Sequence, residues 1–150
     1  MTNLKAGDQA PAIDSVDQNG DKITLDQFKG KKIVLYFYPK DMTPGCTTQS
    51  CNLRDNYKAL MESGYVVLGC SADSPSRHVK FIEKYELPFP LISDESKEVL
   101  NAYGVWGPKK FMGKEYDGIH RTTFVIDEKG VITDVITKVN TKDHTKQILS

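Results

Sequence analysis

Two apolar runs joined by a helical segment constrain the fold of this chain more than any other feature. The first run is IVLYFY at residues 33–38, and the second is YVVLGCS at residues 65–71. Consecutive apolar residues over this length are typical of strands buried on both faces of a sheet. Between the runs, apolar residues recur at helical spacing over 47–63, and Gly64 is a typical helix stop. The pattern predicts a βαβ unit.

The remaining segments predict further strands and helices around this unit. Asn19-Gly20 is a strong hairpin signal between short strands at Ile13–Asp17 and Lys22–Thr24. Downstream, the sequence predicts a helix over 75–85, a strand over 88–93 and a helix capped by Asp94 that ends before Gly104. An extended loop with one or two short strands follows over 105–118. The chain then continues with strands over 121–126 and 131–137 and a short helix from about residue 141. This order predicts an α/β protein with a thioredoxin-like fold, in which a mixed central β-sheet with an N-terminal β-hairpin is flanked by helices. We expect one domain over residues 1–150.

The composition excludes several classes of partner. Twenty basic and twenty acidic residues cancel, and the basic residues form no run, so nothing favours nucleic acid or an anionic membrane. The polar start of the chain has no apolar core of signal-peptide length. No apolar segment approaches the roughly 20 residues that span a bilayer. We therefore expect a cytoplasmic protein.

The first cysteine follows the first apolar run across a Pro/Gly turn. Pro44-Gly45-Cys46 puts the thiol at the start of the predicted helix, where unpaired amides and the helix dipole favour a thiolate. Thr43 adds a hydroxyl, and Pro39 ends the strand and shields the thiol from solvent. Arg121 opens a predicted core strand and therefore needs an anionic partner. The alternative is that Cys46 only fills space at a strand–helix junction.

The spacing of Cys46 and Cys51 has a second consequence. Residues five apart on an ideal helix are rotated by about 140° and lie roughly 8.5 Å apart at Cα. A disulfide requires less than about 7 Å, so the two sulfurs can bond only if the helix unwinds. Alternatively, Cys51 is an apolar helix-face residue, or the pair holds zinc, although the three histidines are scattered. Cys70 lies within a buried strand and is interpreted as core, and His120 as a loop residue.

Several motifs resemble one known family. The order Pro39, Thr43, Cys46 is similar to the P-x-x-x-T-x-x-C signature of the peroxiredoxins. The segment YPKDMTPGCTTQSCNLRD, in which Cys51 follows Cys46 by five residues, resembles the bacterioferritin comigratory protein, or peroxiredoxin Q, branch of that family. Further matches are VLGCSADS, PFPLISDE and YGVWGPKKFMGKEYDGIHRTTFVID, so the resemblance covers essentially the whole chain.

The resemblance implies a role for each matching residue. Cys46 would be the peroxidatic cysteine and Cys51 the resolving cysteine, while Thr43 and Arg121 would position the peroxide and stabilise the thiolate. Pro39 would shield the sulfur. The resemblance implies a thiol peroxidase that reduces hydrogen peroxide or organic hydroperoxides, with thioredoxin or a similar dithiol as reductant and no metal, haem or nicotinamide as cofactor.

Two other functions use the same thiols. A thioredoxin-like disulfide oxidoreductase usually has C-x-x-C at the helix start, and the C-x4-C spacing here counts against it. A redox sensor or holdase would use the unwinding of the helix on disulfide formation to expose a binding surface. Such a protein differs from a peroxidase only in that it does not turn over peroxide repeatedly. Since both cysteines lie in one chain, a partner subunit is not required chemically, so we expect a monomer.

Overall fold

A mixed β-sheet forms the centre of the structure, a computed structural model that describes residues 2–149. Within those residues the sheet has seven strands in the order β2-β1-β5-β4-β3-β8-β9. The strands are β1 Asp14–Val16, β2 Lys22–Thr24, β3 Lys32–Phe37, β4 Tyr65–Ser71, β5 Leu91–Ser93, β8 Thr122–Ile126 and β9 Ile132–Ile136, while β6 Trp106–Phe111 and β7 Lys114–Ile119 form a separate hairpin. Strands β3, β4 and β5 are parallel, and the outer strands pair antiparallel. The predicted thioredoxin-like fold with an N-terminal hairpin is confirmed.

The two apolar runs are the central strands β3 and β4. They pair in parallel with Val34 opposite Val67. Because successive side chains point to opposite faces, Val34 and Tyr36 enter one apolar cluster, whereas Leu35 and Phe37 enter the other. Both faces of the sheet are therefore covered, which explains why these segments are apolar at consecutive positions.

The helix predicted over 47–63 is divided in two. Helix α1 spans Pro44–Asp55 and α2 spans Tyr57–Glu62, with Asn56 between them. The side-chain amide of Asn56 donates to the Asn52 carbonyl at 2.8 Å, a local hydrogen bond that competes with the regular helix. The earlier start is explained by Pro44, which suits the first helical position because it lacks an N–H group. The other helices are α3 Pro75–Tyr85, α4 Glu98–Ala102 and α5 His144–Leu149.

Two further predictions need correction. Asp94 is not the N-cap of α4, which begins after Lys97, but its carboxylate accepts a hydrogen bond from the Leu100 N–H at 2.8 Å. Asp94 thus caps the helix from one turn earlier. The one or two short strands predicted within an extended loop over 105–118 are instead two six-residue strands, β6 and β7, that form a regular hairpin with Trp106 opposite Ile119. Its exposed residues lack an apolar alternation, so no periodic signal marks it.

No helix in the described part of the chain has the length and apolar character needed to cross a bilayer. The prediction of a single domain over residues 1–150 stays a prediction.

Candidate active site

Cys46 lies in the first turn of α1. Thr43 is the N-cap residue with extended backbone, and Pro44 and Gly45 are the first two helical residues. The thiol is 1% exposed. The N–H groups of a first helical turn have no carbonyl partner within the helix, so they present positive partial charge to groups at this end. The local sequence therefore places a buried sulfur where a negative charge is stabilised.

Arg121 reaches this sulfur from a neighbouring strand. It directly precedes β8, which pairs antiparallel with β3 so that Thr122 lies opposite Phe37 at the end of β3 where the chain leaves for α1. The Arg121 Nη2 atom donates to Cys46 Sγ at 3.3 Å. Because a guanidinium stays charged at any physiological pH, this contact places a fixed positive charge beside the sulfur.

Two residues of α1 make room for this guanidinium and hold it. Gly45 leaves the space, since a Cβ at this position would lie 3.2 Å from Arg121 Nη2. Gln49 is fully buried, and its Oε1 accepts from Arg121 Nη1 at 2.6 Å. Its Nε2 is buried without a hydrogen-bond partner among the described residues. Gln49 was not predicted as a site residue from the sequence, although it follows Cys46 by three residues and so lies on the same face of α1.

Thr43 and Pro39 belong to the segment that leads into α1. The Thr43 hydroxyl donates to the Lys40 carbonyl at 2.7 Å, which fixes the turn before α1. Pro39 is half-buried and lines a cavity of about 360 Å³ together with Trp106 and Lys109 of the β6–β7 hairpin. This cavity lies next to the segment that leads to Cys46.

Lys109 is a second cation of the site that sequence reasoning missed. Its Nζ donates to the Ile119 carbonyl at 2.9 Å, across the hairpin. Burial lowers the pKa of Lys109, the charge of Arg121 lowers it further, and Cys46 acts in the opposite direction. Lys109 also lines the cavity that contains Pro39, so its positive charge lies at that cavity.

Cys51 lies further along α1 and is half-buried. It opens towards a shallow cavity of about 450 Å³ that Thr48 and Lys142 also line. Burial raises the pKa of the Cys51 thiol, with Arg54 opposing this effect, so Cys51 is protonated at neutral pH. Cys46 and Cys51 are both free thiols, and the helix between them is continuous. The structure thus corresponds to the reduced state.

The other residues considered in the sequence do not join this site. Cys70 is fully buried in β4, and burial raises its pKa well above the ordinary value, so it is an unreactive core thiol. His120 Nε2 lies 3.0 Å from the Pro108 carbonyl and holds the β6–β7 hairpin. Phe89 packs against Tyr36 in the core, whereas Phe111 is 65% exposed.

Comparison with known proteins agrees with this fold and site. A family model described as the AhpC/TSA family matches residues 6–135. The putative peroxiredoxin bcp of Haemophilus influenzae is 50% identical over 149 residues, covering 99% of this chain and 96% of the relative. Peroxiredoxin Bcp of Escherichia coli is 49% identical over 150 residues, covering 100% and 96%. The structure of a bacterioferritin comigratory protein from Xanthomonas campestris, which has alkyl peroxide reduction activity, matches with a TM-score of 0.85 at 33% identity, covering 91% of this chain and 87% of that one.

The chain therefore belongs to the AhpC/TSA family, and within it to the peroxiredoxins of the Bcp, or Q, branch. This branch consists of peroxide-reducing oxidoreductases. Membership implies a peroxide substrate and a reductant that restores the enzyme.

Proposed function

We propose that the protein is a thiol peroxidase in which Cys46 is the peroxidatic cysteine and that it reduces hydrogen peroxide and organic hydroperoxides. The observation that carries the proposal is the 3.3 Å hydrogen bond from Arg121 to a buried sulfur at a helix start. The alkyl peroxide reduction activity of the Xanthomonas campestris relative supports organic hydroperoxides as substrates.

In the first step, the Cys46 thiolate attacks the nearer oxygen of the hydroperoxide. An S–O bond forms and the O–O bond breaks, so Cys46 becomes a sulfenic acid and the leaving oxygen takes a proton to become an alcohol or water. Negative charge spreads from the sulfur over both oxygens in the transition state. Arg121 and the first-turn amides of α1 are placed to stabilise that charge without reorganising.

Thr43 and Pro39 shape the place where the peroxide binds. A hydroxyl offers one donor and two lone pairs. Because the Thr43 proton is engaged by the Lys40 carbonyl, its oxygen is left to accept a hydrogen bond from the terminal O–H of the peroxide. Pro39 has no N–H group and its ring is apolar, so it limits the access of water to the sulfur.

In the second step, Cys51 resolves the intermediate. The Cys51 thiol attacks the sulfenic sulfur, a disulfide forms, and the hydroxyl leaves as water with the thiol proton. In the regular helix the two Cα atoms are about 8.5 Å apart, so the first turns of α1 must unwind before the bond can form. A dithiol protein of the thioredoxin type then reduces the disulfide by exchange.

A thioredoxin-coupled peroxidase assay tests the proposal. Cys46→Ser should abolish peroxide consumption, and Cys51→Ser should complete one turnover and then accumulate sulfinic acid, detectable by mass spectrometry. Cys70→Ser is the matched control, because a fully buried core thiol should not contribute. Near wild-type turnover by Cys46→Ser would refute the assignment. Fast cycling by Cys51→Ser would mean that another thiol resolves the intermediate.

The same assay separates the peroxidase from the redox sensor that shares its thiols. A sensor would consume about one equivalent of peroxide per chain and then stop, even with the reductant present. The monomeric state and the cytoplasmic location stay predictions, and sedimentation of the reduced and oxidised protein tests the first of them.

A further inference from the structure

A second buried polar cluster includes residues of the segment that leads into α1. It consists of Tyr38, Asp41 and His78, each at most 1% exposed. His78 Nδ1 lies 2.6 Å from Asp41 Oδ2, and the Tyr38 hydroxyl donates to Asp41 Oδ1 at 2.5 Å. His78 Nε2 lies 3.0 Å from the Ile92 carbonyl oxygen. The peroxidase chemistry described above uses none of these groups.

Counting donors and acceptors shows that this cluster holds an additional proton. A backbone carbonyl can only accept, so His78 Nε2 must carry a hydrogen directed at Ile92. A neutral imidazole would then present a lone pair from Nδ1 to an ionised carboxylate 2.6 Å away, which is repulsive. One proton must therefore lie between His78 and Asp41, either on the imidazole or on the carboxyl group. The burial of Tyr38, with the charge of Asp41, raises its pKa well above the usual value, so its hydroxyl remains the donor.

The same groups resemble a metal site in composition but not in bonding. Ligand atoms of Asp41, Asp73 and His78 lie within 4.8 Å of one another. However, Asp73 Oδ2 accepts from the Asp41 N–H at 2.8 Å and from the Ser71 hydroxyl at 2.7 Å. Asp73 Oδ1 accepts from Arg77 Nε at 3.0 Å. Protein donors therefore occupy the carboxylate oxygens, and the cluster is a hydrogen-bond network.

The network fixes every polar group of Asp41. Its carboxylate bonds to His78 and Tyr38, its N–H to Asp73, and its carbonyl oxygen accepts from Arg77 Nη2 at 3.3 Å. The next residue, Met42, has φ of 68°, a left-handed conformation that a non-glycine residue adopts only when its surroundings hold it. The start of α1 follows immediately.

We propose that Asp41 and His78 form a proton-sharing positioning pair that sets the start of α1 and thereby the place of Cys46 relative to Arg121. A role of this pair in catalysis rests on the proposed function. Its effect on the position of the Cys46 thiol does not depend on that function. The pair holds segment 39–43 on α3 while the first turns of α1 unwind for disulfide formation. On reduction, the helix reforms from a fixed starting point, and the contact of Arg121 with the sulfur is restored.

Two substitutions at Asp41 separate shape from charge. In Asp41→Asn, the amide NH2 can donate to Nδ1 of a neutral His78 while the amide oxygen still accepts from Tyr38, so the geometry is kept without the shared proton. In Asp41→Ala both bonds are lost. Asp134→Ala, at an exposed carboxylate on the edge strand β9, is the matched control.

The measurement is alkylation of Cys46 by iodoacetamide in the reduced protein, quantified by peptide mass spectrometry between about pH 5 and 9. Asp41→Ala should slow alkylation at neutral pH about tenfold, since the sulfur loses its alignment with Arg121. Asp41→Asn and the control should stay within about twofold of wild type. A folded Asp41→Ala with the wild-type profile, or an Asp41→Asn as slow as Asp41→Ala, would overturn the positioning role.

The shared proton has its own test in case Asp41→Ala does not fold. In the wild-type protein, NMR of the ¹⁵N-labelled His78 ring near neutral pH should detect a strongly hydrogen-bonded proton shared by Nδ1 and the Asp41 carboxylate, and this signal should be absent from Asp41→Asn. A ring that carries a hydrogen only at Nε2 in wild type, with no proton in the bond to Asp41, contradicts the inference. Because alkylation needs no peroxide, a lack of peroxidase activity in wild type would refute the proposed function, while the alkylation comparison would still decide the role of Asp41.

Discussion

Replacement of Arg121 by glutamine removes the one side-chain cation that donates directly to the sulfur within the described residues. The lost contact is a hydrogen bond between a charged donor and a thiolate, an interaction of about 1.5–3 kcal/mol. Since 1.4 kcal/mol corresponds to a factor of ten, we expect the reaction of Cys46 with peroxide to slow roughly 10- to 100-fold. Arg121→Lys should fall between, because an ammonium keeps the charge but lacks the planar fork that reaches Sγ and Gln49 together.

The first step is measured by mixing the reduced protein with hydrogen peroxide in a stopped-flow instrument. The single tryptophan, Trp106, lines the cavity beside Pro39 and reports the change by fluorescence. Arg54→Gln is the matched control: it removes a guanidinium that pairs with Asp55 at the exposed end of α1, and should change the rate by less than about twofold. An Arg121→Gln variant that reacts as fast as this control would show that Arg121 does not stabilise the transition state.

Three further changes test other contacts. Asn52→Ala removes the hydrogen bonds that tie α1 to Lys142 and Thr145, so α1 should unwind more easily. After one equivalent of peroxide, the Cys46–Cys51 disulfide should form up to about tenfold faster, and an unchanged rate would contradict this. Burial lowers the pKa of His144, so below about pH 6.5 the unfolded chain binds more protons than the folded chain. The melting temperature should therefore fall on acidification, and it should fall less steeply with pH in His144→Gln. Gly69→Ala puts a Cβ 2.6 Å from Leu91 Cδ2 and should cost about 1–3 kcal/mol by urea unfolding, where an unchanged midpoint would argue against the close packing.

The sequence predicts best those parts of the fold whose residues carry a local signal. The bounds of β4 follow from an uninterrupted apolar run, and the N-terminal hairpin follows from Asn19-Gly20. The break between α1 and α2 at Asn56 was not predicted, because the apolar periodicity of the segment continues across it. The strands of the β6–β7 hairpin are longer and more regular than the one or two short strands predicted, since their exposed faces show no apolar alternation.

The same distinction applies to the candidate site. Cys46 and Thr43 stand in one local motif, and Arg121 attracts attention because a cation at the start of a core strand needs a partner. Lys109 and the pair of Asp41 with His78 give no such signal: each becomes relevant only through an atom that the fold brings from another element. Partners that are distant in sequence have no spacing rule to reveal them.

The separation of Cys46 and Arg121 by 75 residues has a consequence for the folding of the chain. Contacts between distant segments form late, because the entropy of closing a long loop must be overcome first. During synthesis, Cys46 therefore precedes its guanidinium partner and behaves as an ordinary thiol until β8 pairs with β3. We expect pulse alkylation during refolding to detect fast reaction at Cys46 only after that pairing, and a fast reaction before it would refute the sequence of events. Cys46 would then be activated towards peroxide only once the chain has folded around it.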